Sequence, residues 1–160
     1  MSADRPSQEL KFPGGFLWGV ATSAFQMEGN NGNTQWHEFE KAGGIRTGEA
    51  SGRACNWWYN AERDFDIAQS MGLNSLRLSV SWARIEPEEG IFDSQAIERY
   101  RRMLAALIER GIRPIVCLHH FIHPVWFEKK GAFLSGDCVA DFSRFVKLPY
   151  LRSATTAATG

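Results

Sequence analysis

One stretch, from Gly111 to Trp126, constrains the fold of this chain more than any other; it reads GIRPIVCLHHFIHPVW. Gly111 ends a helical pattern, and the apolar run from Ile115 to Leu118 has no interior proline, which predicts a short strand buried on both faces. Two histidines, His119 and His120, follow this strand directly. Because α/β folds carry their chemistry at the carboxyl ends of parallel strands, we expect functional residues there.

His119 and His120 follow the predicted strand and must leave it in opposite directions, since successive strand residues alternate between two faces. Only one of them can therefore face a pocket. The alternative is that neither is functional, with one histidine hydrogen-bonded within the structure and the other a loop residue. A metal hydrolase built on His119, His120 and His123 is one alternative. It is disfavoured because adjacent strand histidines diverge and no carboxylate lies beside them at ligand spacing.

Composition and charge narrow the class of protein. A hydrophobic content of 44% is typical of a chain with a packed core, and 160 residues suit one domain. Eighteen basic and 18 acidic residues cancel, and no basic block occurs. Neither nucleic acid nor a membrane surface is thus an expected partner, and a small neutral molecule is favoured. No apolar run approaches the roughly 20 residues of a membrane span.

Three cysteines, Cys55, Cys117 and Cys138, are an odd number without a C-x-x-C pair. This pattern argues against a disulfide framework and against a structural zinc site. The first residues carry charges of both signs around no apolar core, so we expect no signal peptide. The sequence therefore predicts a cytoplasmic protein without a metal.

Strand and helix patterns alternate along residues 16–147, between a polar segment at 1–15 and an unstructured tail at 148–160. The predicted strands are 16–24, 75–82 and 115–118, and the predicted helices are 61–71, 94–110 and 137–147. Asn60 is the expected cap of the first helix, and the loop at 29–60 is expected to be ordered and functional. This order calls for right-handed crossovers and a parallel α/β sheet.

Candidate polar residues lie on or just after all three strands: Gln26, Arg77 and His120. An open doubly wound sheet and a closed barrel both begin with this order of elements. No glycine-rich phosphate loop follows any strand, which disfavours nucleotide binding and leaves no expected cofactor. Polar groups on every strand favour a barrel, whose strand ends converge on one site.

Three segments carry a resemblance to a known family. They are FPGGFLWGVATSAFQMEG near the start, DFDIAQSMGLNSLRLSVSWARIEP in the middle, and RPIVCLHHFIHPVWF at the third strand. Together, in this order and spacing, they resemble glycoside hydrolase family 1, the β-glucosidase family of (β/α)8 TIM barrels. The match runs from about residue 12 to about residue 146, so the resemblance implies an incomplete barrel made of its first three βα units.

The resemblance also implies roles for individual residues. Gln26 and His120 match the glutamine and histidine that hydrogen-bond hydroxyls of the terminal sugar. Arg77 matches an arginine that supports the ionised state of the nucleophilic carboxylate, in line with the effect of an opposite charge on carboxyl acidity. Phe121 stands where many members have tryptophan, and it is expected to support the sugar site by packing.

The family's reaction needs two carboxylates about 5–5.5 Å apart, one as acid/base and one as nucleophile. Neither the Asn-Glu-Pro motif nor the Glu-Asn-Gly motif that carries them occurs in this sequence. Five other glutamates match neither motif and are interpreted as loop or surface charges: Glu28, Glu38, Glu86, Glu88 and Glu89.

The resulting expectation is an amino-terminal fragment of a retaining β-glucosidase, which acts on terminal β-D-glucosyl residues but is inactive alone. The expected ligand is a small β-glucoside or oligosaccharide. A non-catalytic carbohydrate-binding remnant, which uses Gln26, His120 and tryptophan side chains, is the alternative function.

Overall fold

The computed structural model describes residues 11–147; the first ten residues and the predicted tail at 148–160 lie outside it. The elements are, in order, β1 (Gly19–Ala21), α1 (Ala24–Met27), α2 (Gln35–Lys41), α3 (Trp57–Ser70), β2 (Ser75–Ser79), α4 (Trp82–Ile85), α5 (Ser94–Glu109), β3 (Arg113–Cys117), α6 (Val125–Lys129), a 3₁₀ turn (Ala132–Leu134) and α7 (Cys138–Val146).

The three strands form one parallel sheet in the order β1-β2-β3. Ser75 of the central strand lies opposite Gly19 on one side and opposite Arg113 on the other. Helices α3 and α5 supply the crossovers and pack against each other. The predicted parallel α/β architecture is confirmed. Three strands cannot close into a barrel, so β1 and β3 are both sheet edges within the described residues.

The central strand β2 has two different faces, as its alternation predicts. Leu76 and Leu78 point toward the helices and are only 2% and 1% exposed. Ser75, Arg77 and Ser79 share the opposite face, which we call the inner face of the sheet. The sheet thus separates an apolar helix-covered layer from a polar inner layer.

The strand is shorter than predicted, because β2 ends at Ser79 and Trp82 begins α4. The backbone amide of Ser81 donates to the Tyr100 hydroxyl (2.8 Å) instead of to a neighbouring strand. Trp82 is 0% exposed and stacks on Phe145, with ring centroids 5.0 Å apart. This indole joins the end of β2 to two helices, because Phe145 belongs to α7 and Phe127, which also contacts the indole, belongs to α6.

Two further boundaries differ from the prediction. β1 covers only Gly19–Ala21, because the chain turns into α1 once the Ala24 amide reaches the Ser79 hydroxyl (2.7 Å). Helix α3 begins at Trp57 rather than after Asn60. The Trp57 side chain is 3% exposed and lies edge-on to Phe65, so packing extends this helix by a turn at its start.

The prediction that β3 is buried on both faces is wrong. Ile115 is 45% exposed and Arg113 is exposed as well. Both point to the inner side of the sheet, where none of the described residues covers the edge strand. Burial on two sides would need further strands beside and across from β3.

Candidate functional site in a cavity at the carboxyl ends of the strands

A cavity of about 210 Å³ lies where β1 and β3 end. Its walls come from the turn after β1, the start of α2 and the turn after β3. The lining residues are Ser23, Phe25, Gln26, Trp36, His120, Phe121 and Ile122. Three of the four predicted site residues, Gln26, His120 and Phe121, therefore share one cavity, although they come from opposite ends of the described chain.

Gln26 lies on α1 and is held by its own turn. The Ser23 hydroxyl donates to Gln26 Oε1 over 2.6 Å, which leaves the amide N–H groups of Gln26 available to a ligand. Ser23 is itself only 4% exposed. The turn is fixed to the sheet, because the Ala24 amide donates to the Ser79 side chain. Gln26 is thus an exposed donor on a rigid support.

His120 lies half-buried on the opposite wall. Its ring is 4.7 Å from that of Phe121, and among the described residues its Nδ1 atom is buried without a hydrogen-bond partner. A buried polar atom without a partner loses free energy, so a ligand hydroxyl at this position would restore the missing hydrogen bond.

His119 points away from the cavity, as alternation along the strand predicts. Its ring lies edge-on to Phe133, with centroids 5.0 Å apart, and is parallel to that of His123 at 5.9 Å. Burial lowers the pKa of His119, and the neighbouring His123 and His120 lower it further. Of the two adjacent histidines, His120 lines this cavity and His119 does not.

Arg77 is not among the residues that line the cavity. It lies half-buried on the inner face of β2, between Ala21 and Ile115 of the neighbouring strands. Within residues 11–147 its Nε atom is buried and has no hydrogen-bond partner. The structure therefore places this arginine outside the cavity that Gln26 and His120 line, with its Nε atom unsatisfied.

Glu28 is the main feature that the sequence interpretation missed. It is 2% exposed, so its assignment as a loop or surface charge is wrong. Its carboxylate accepts from the Tyr100 hydroxyl (2.6 Å), from Arg84 Nε (2.8 Å) and from Asn31 Nδ2 (3.2 Å). Arg84 and Tyr100 lie far from Glu28 in sequence, so no local pattern signals these contacts.

The buried network around Glu28 is joined to the cavity wall through α1, because Glu28 caps the end of this helix and Gln26 lies on it. Burial raises the pKa of the Glu28 carboxyl from 4.5 to about 7, although the Arg84 guanidinium and the Tyr100 hydroxyl oppose the shift. The removal of water outweighs the attraction of the two nearby cations, Arg84 and Arg99.

Glu86 is also buried, at 0% exposure, which corrects the second of the five glutamate assignments. It accepts from Trp82 Nε1 (2.7 Å), the Gly90 amide (2.8 Å) and Arg144 Nε (2.8 Å). These donors link α4 to α7 and lie outside the cavity. The other three glutamates of that group are exposed, as predicted.

A metal site finds no support in the described residues, which contain no group of three or more His, Cys, Asp or Glu side chains able to hold an ion. His123 Nε2 instead lies 2.6 Å from Glu128 Oε2. Between residues 11 and 147, no helix has the length and apolar character needed to cross a membrane.

Parallel strands with helical crossovers and a cavity at their carboxyl ends are features of (β/α)-barrel proteins. Within that class the chain belongs to glycosyl hydrolase family 1, whose sequence profile matches residues 8–155.

Individual relatives agree with this family. The chain is 35% identical over 144 residues to β-glucosidase A of Thermotoga maritima, which covers 84% of this chain and 32% of the relative. It is 31% identical over 147 residues to the human cytosolic β-glucosidase, which covers 86% of this chain and 31% of that relative. The chain thus spans about a third of the length of the curated relatives it matches.

Solved structures support the same fold. A β-glycosidase from Pyrococcus horikoshii superposes with a TM-score of 0.81 at 41% identity, covering 88% of this chain and 33% of that one. The T. maritima enzyme in complex with a methoxycarbonyl-substituted glucoimidazole superposes at 0.78 with 34% identity, over 84% of this chain and 33% of that one. The three βα units described here therefore correspond to a part of a (β/α)8 barrel, as the sequence predicts.

Proposed function

We propose that this chain forms the sugar-holding part of a retaining β-glucosidase that acts on terminal β-D-glucosyl residues. The observation that carries the proposal is the cavity that Gln26 and His120 both line. In this proposal Gln26 and His120 hydrogen-bond the sugar hydroxyls, while Phe121 supports the site by packing and Arg77 by its charge.

The chemistry of the lining suits a pyranose. An amide and an imidazole both combine donor and acceptor atoms, as a ring of hydroxyls requires. The aromatic side chains of Trp36 and Phe121 stand beside them and offer apolar surface to the C–H groups of a sugar ring. The two relatives named above are β-glucosidases, which favours a glucoside as the ligand.

The position of Arg77 supports its proposed role. A buried guanidinium atom without an acceptor needs a partner, and a carboxylate is the strongest one available to it. Such a carboxylate would have its pKa lowered by the arginine and would remain ionised. The proposal assigns this partner to the catalytic nucleophile, which this sequence does not contain.

We expect no hydrolysis by the chain alone, because the reaction needs two carboxylates about 5–5.5 Å apart. The lining of the cavity includes no carboxylate. The purified chain, incubated with an aryl β-glucoside, should release phenol no faster than a His120→Ala variant. Turnover above background that is lost in this variant would show that a catalytic pair exists in the chain after all.

We expect the chain to bind glucose or cellobiose weakly, with heat detectable by titration calorimetry at millimolar sugar. Gln26→Met and His120→Phe keep the side-chain volume but remove hydrogen bonds, so each should weaken binding by roughly 2- to 10-fold. Gln95→Met, at an exposed position on α5, is the control and should bind as the unchanged chain does. The absence of heat from the unchanged chain would contradict the proposed sugar site.

A non-catalytic carbohydrate-binding remnant is the second candidate, favoured by a cavity with sugar-binding groups but no carboxylate. Addition of a polypeptide with the remaining strands of the T. maritima enzyme would separate the two functions. Recovered hydrolysis of an aryl β-glucoside supports the enzyme, whereas sugar binding without any recovery supports the remnant.

The cytoplasmic location stays a prediction. It is supported by the cysteines, since Cys55, Cys117 and Cys138 are all free thiols, and by the cytosolic human relative. Small β-glucosides or oligosaccharides are the proposed ligands.

A further inference from the structure

Phe121 has an unusual backbone conformation. Its φ angle is +68°, in the left-handed region, which costs a residue with a side chain about 1–2 kcal/mol. The side chain does not repay this cost by burial, because it is 69% exposed. Such conformations persist only where other contacts impose them, and they concentrate at functional sites.

The contacts that impose it come from Gln35, the first residue of α2. Gln35 Nε2 donates to the carbonyl oxygen of Phe121 over 2.6 Å, and the amide of His123 donates to Gln35 Oε1 over 2.9 Å. The backbone amide of Gln35 adds a third hydrogen bond, to the His123 carbonyl, at 3.3 Å. The side-chain amide of Gln35 thus forms hydrogen bonds with the turn on both sides of Ile122.

Gln35 can act as a fixed support because its own helix start is anchored. Thr34 is 0% exposed, and its hydroxyl oxygen accepts from the His37 amide as the cap of α2. Thr34 also forms an isolated bridge with Pro124, just beyond the turn. The side chain of Gln35 is therefore attached to an anchored helix start, and we expect the turn that carries Phe121 to adjust to it.

We infer that Gln35 is a positioning residue, which holds Phe121 at positive φ and thereby aims the rings of His120 and Phe121 into the cavity. The two rings are adjacent in the chain, and their centroids lie 4.7 Å apart, so a change of φ at Phe121 moves one relative to the other. The consequence for sugar binding rests on the proposed function, whereas the conformational claim does not.

The competing explanation is that the hydrogen bonds of Gln35 only connect α2 to the turn and do not determine its conformation. The φ angle of Phe121 in a Gln35 variant distinguishes these two roles. A positive φ brings the amide and Hα protons of a residue unusually close, so it gives a strong NOE within that residue. We expect this NOE in the unchanged chain and its loss in Gln35→Met, together with shifted ring resonances of His120. A folded Gln35→Met variant that keeps the NOE would overturn the inference.

Gln69→Met is the matched control, since Gln69 Nε2 likewise donates to a backbone carbonyl between two elements, that of Arg110 (3.0 Å). It lies away from the cavity and should leave the Phe121 NOE unchanged. Loss of that NOE in both variants would mean that any weakened tie between elements moves the turn, which would also overturn the inference.

Gln35→Glu gives a second test that keeps the side-chain shape. When protonated, its carboxyl group can still donate to the Phe121 carbonyl and accept from the His123 amide; when ionised, it repels that carbonyl. The NOE should therefore appear below the pKa of the new carboxyl, near 4.3 in model peptides, and fade above it. The ionisable neighbours His123, Glu128, Glu38 and Lys41 are present in both chains, so the unchanged chain serves as the reference. No pH dependence in the variant would contradict the inference.

Calorimetry with glucose completes the design. Gln35→Met should weaken sugar binding at least 3-fold if the ring positions matter to the ligand. If no variant and not even the unchanged chain binds sugar, the proposed function fails while the NOE result still decides the role of Gln35. If the unchanged chain binds and Gln35→Met binds equally well after losing the NOE, the positioning role is refuted.

Discussion

Trp82→Ala is expected to abolish the cooperative unfolding transition of the chain. The side chain is 0% exposed and contacts rings from α6 and α7 on several sides. Truncation of a fully buried tryptophan costs about 3–5 kcal/mol, because the lost contacts leave a cavity. The same change also removes the donor to Glu86, whose carboxylate is completely buried. Urea unfolding followed by circular dichroism measures the loss.

Two variants separate these causes. Trp82→Phe retains most of the ring contacts but not the hydrogen bond to Glu86, so it should cost clearly less than Trp82→Ala. Trp36→Ala removes an indole that is 42% exposed and should change the free energy of unfolding by less than about 1 kcal/mol. Equal losses for Trp82→Ala and Trp36→Ala would contradict the placement of the core.

The second large effect is a dependence of stability on pH that comes from Glu28. Its pKa is raised from 4.5 to about 7 in the folded chain, so the folded state holds this proton more tightly than the unfolded state. This proton therefore contributes to the free energy of unfolding in full below about pH 4.5, and the contribution is lost as the pH rises to about 7. A shift of this size corresponds to about 3 kcal/mol. Urea unfolding at several pH values between these limits tests the prediction.

Glu28→Gln is the control, because it removes the titration but keeps the side-chain length. The difference in unfolding free energy between the two chains should vary across this pH range and then become constant. His119 acts in the opposite direction, since its lowered pKa adds stability as the pH rises, but it is present in both chains and cancels. A difference that does not change with pH would show that Glu28 stays ionised.

Much of the fold follows from local patterns. Helix α5 lies at Ser94–Glu109, close to the predicted 94–110, because its apolar spacing, the Asp93 cap and the glycine after its end all agree. The two faces of β2 were also predictable, since leucines alternate with polar residues there. These features depend on neighbours within a few positions of one another.

The sequence interpretation failed where distant residues decide the outcome. Helix α3 starts early because Trp57 packs on Phe65. Glu28 is buried because Arg84 and Tyr100 converge on it from α4 and α5. Neither contact leaves a periodic signal, so charge alone suggested that Glu28 was at the surface.

The candidate site was predictable in part. Alternation indicated that one of the two histidines faces a pocket, and the structure shows that it is His120. The resemblance to family 1 supplied Gln26, and the shared cavity brings the two together. The placement of Gln35 could not be predicted, because its partners are backbone atoms of a turn far along the chain.

The opposite directions of His119 and His120 make the length of β3 as important to the site as its residues. Insertion of a single residue within this strand would move His119 to the position that His120 now occupies, whereas deletion of one would move His120 to the position of His119. After the insertion His119 would line the cavity with Gln26, and after the deletion His120 would lie against Phe133. Residue spacing along this strand therefore determines which histidine lines the cavity.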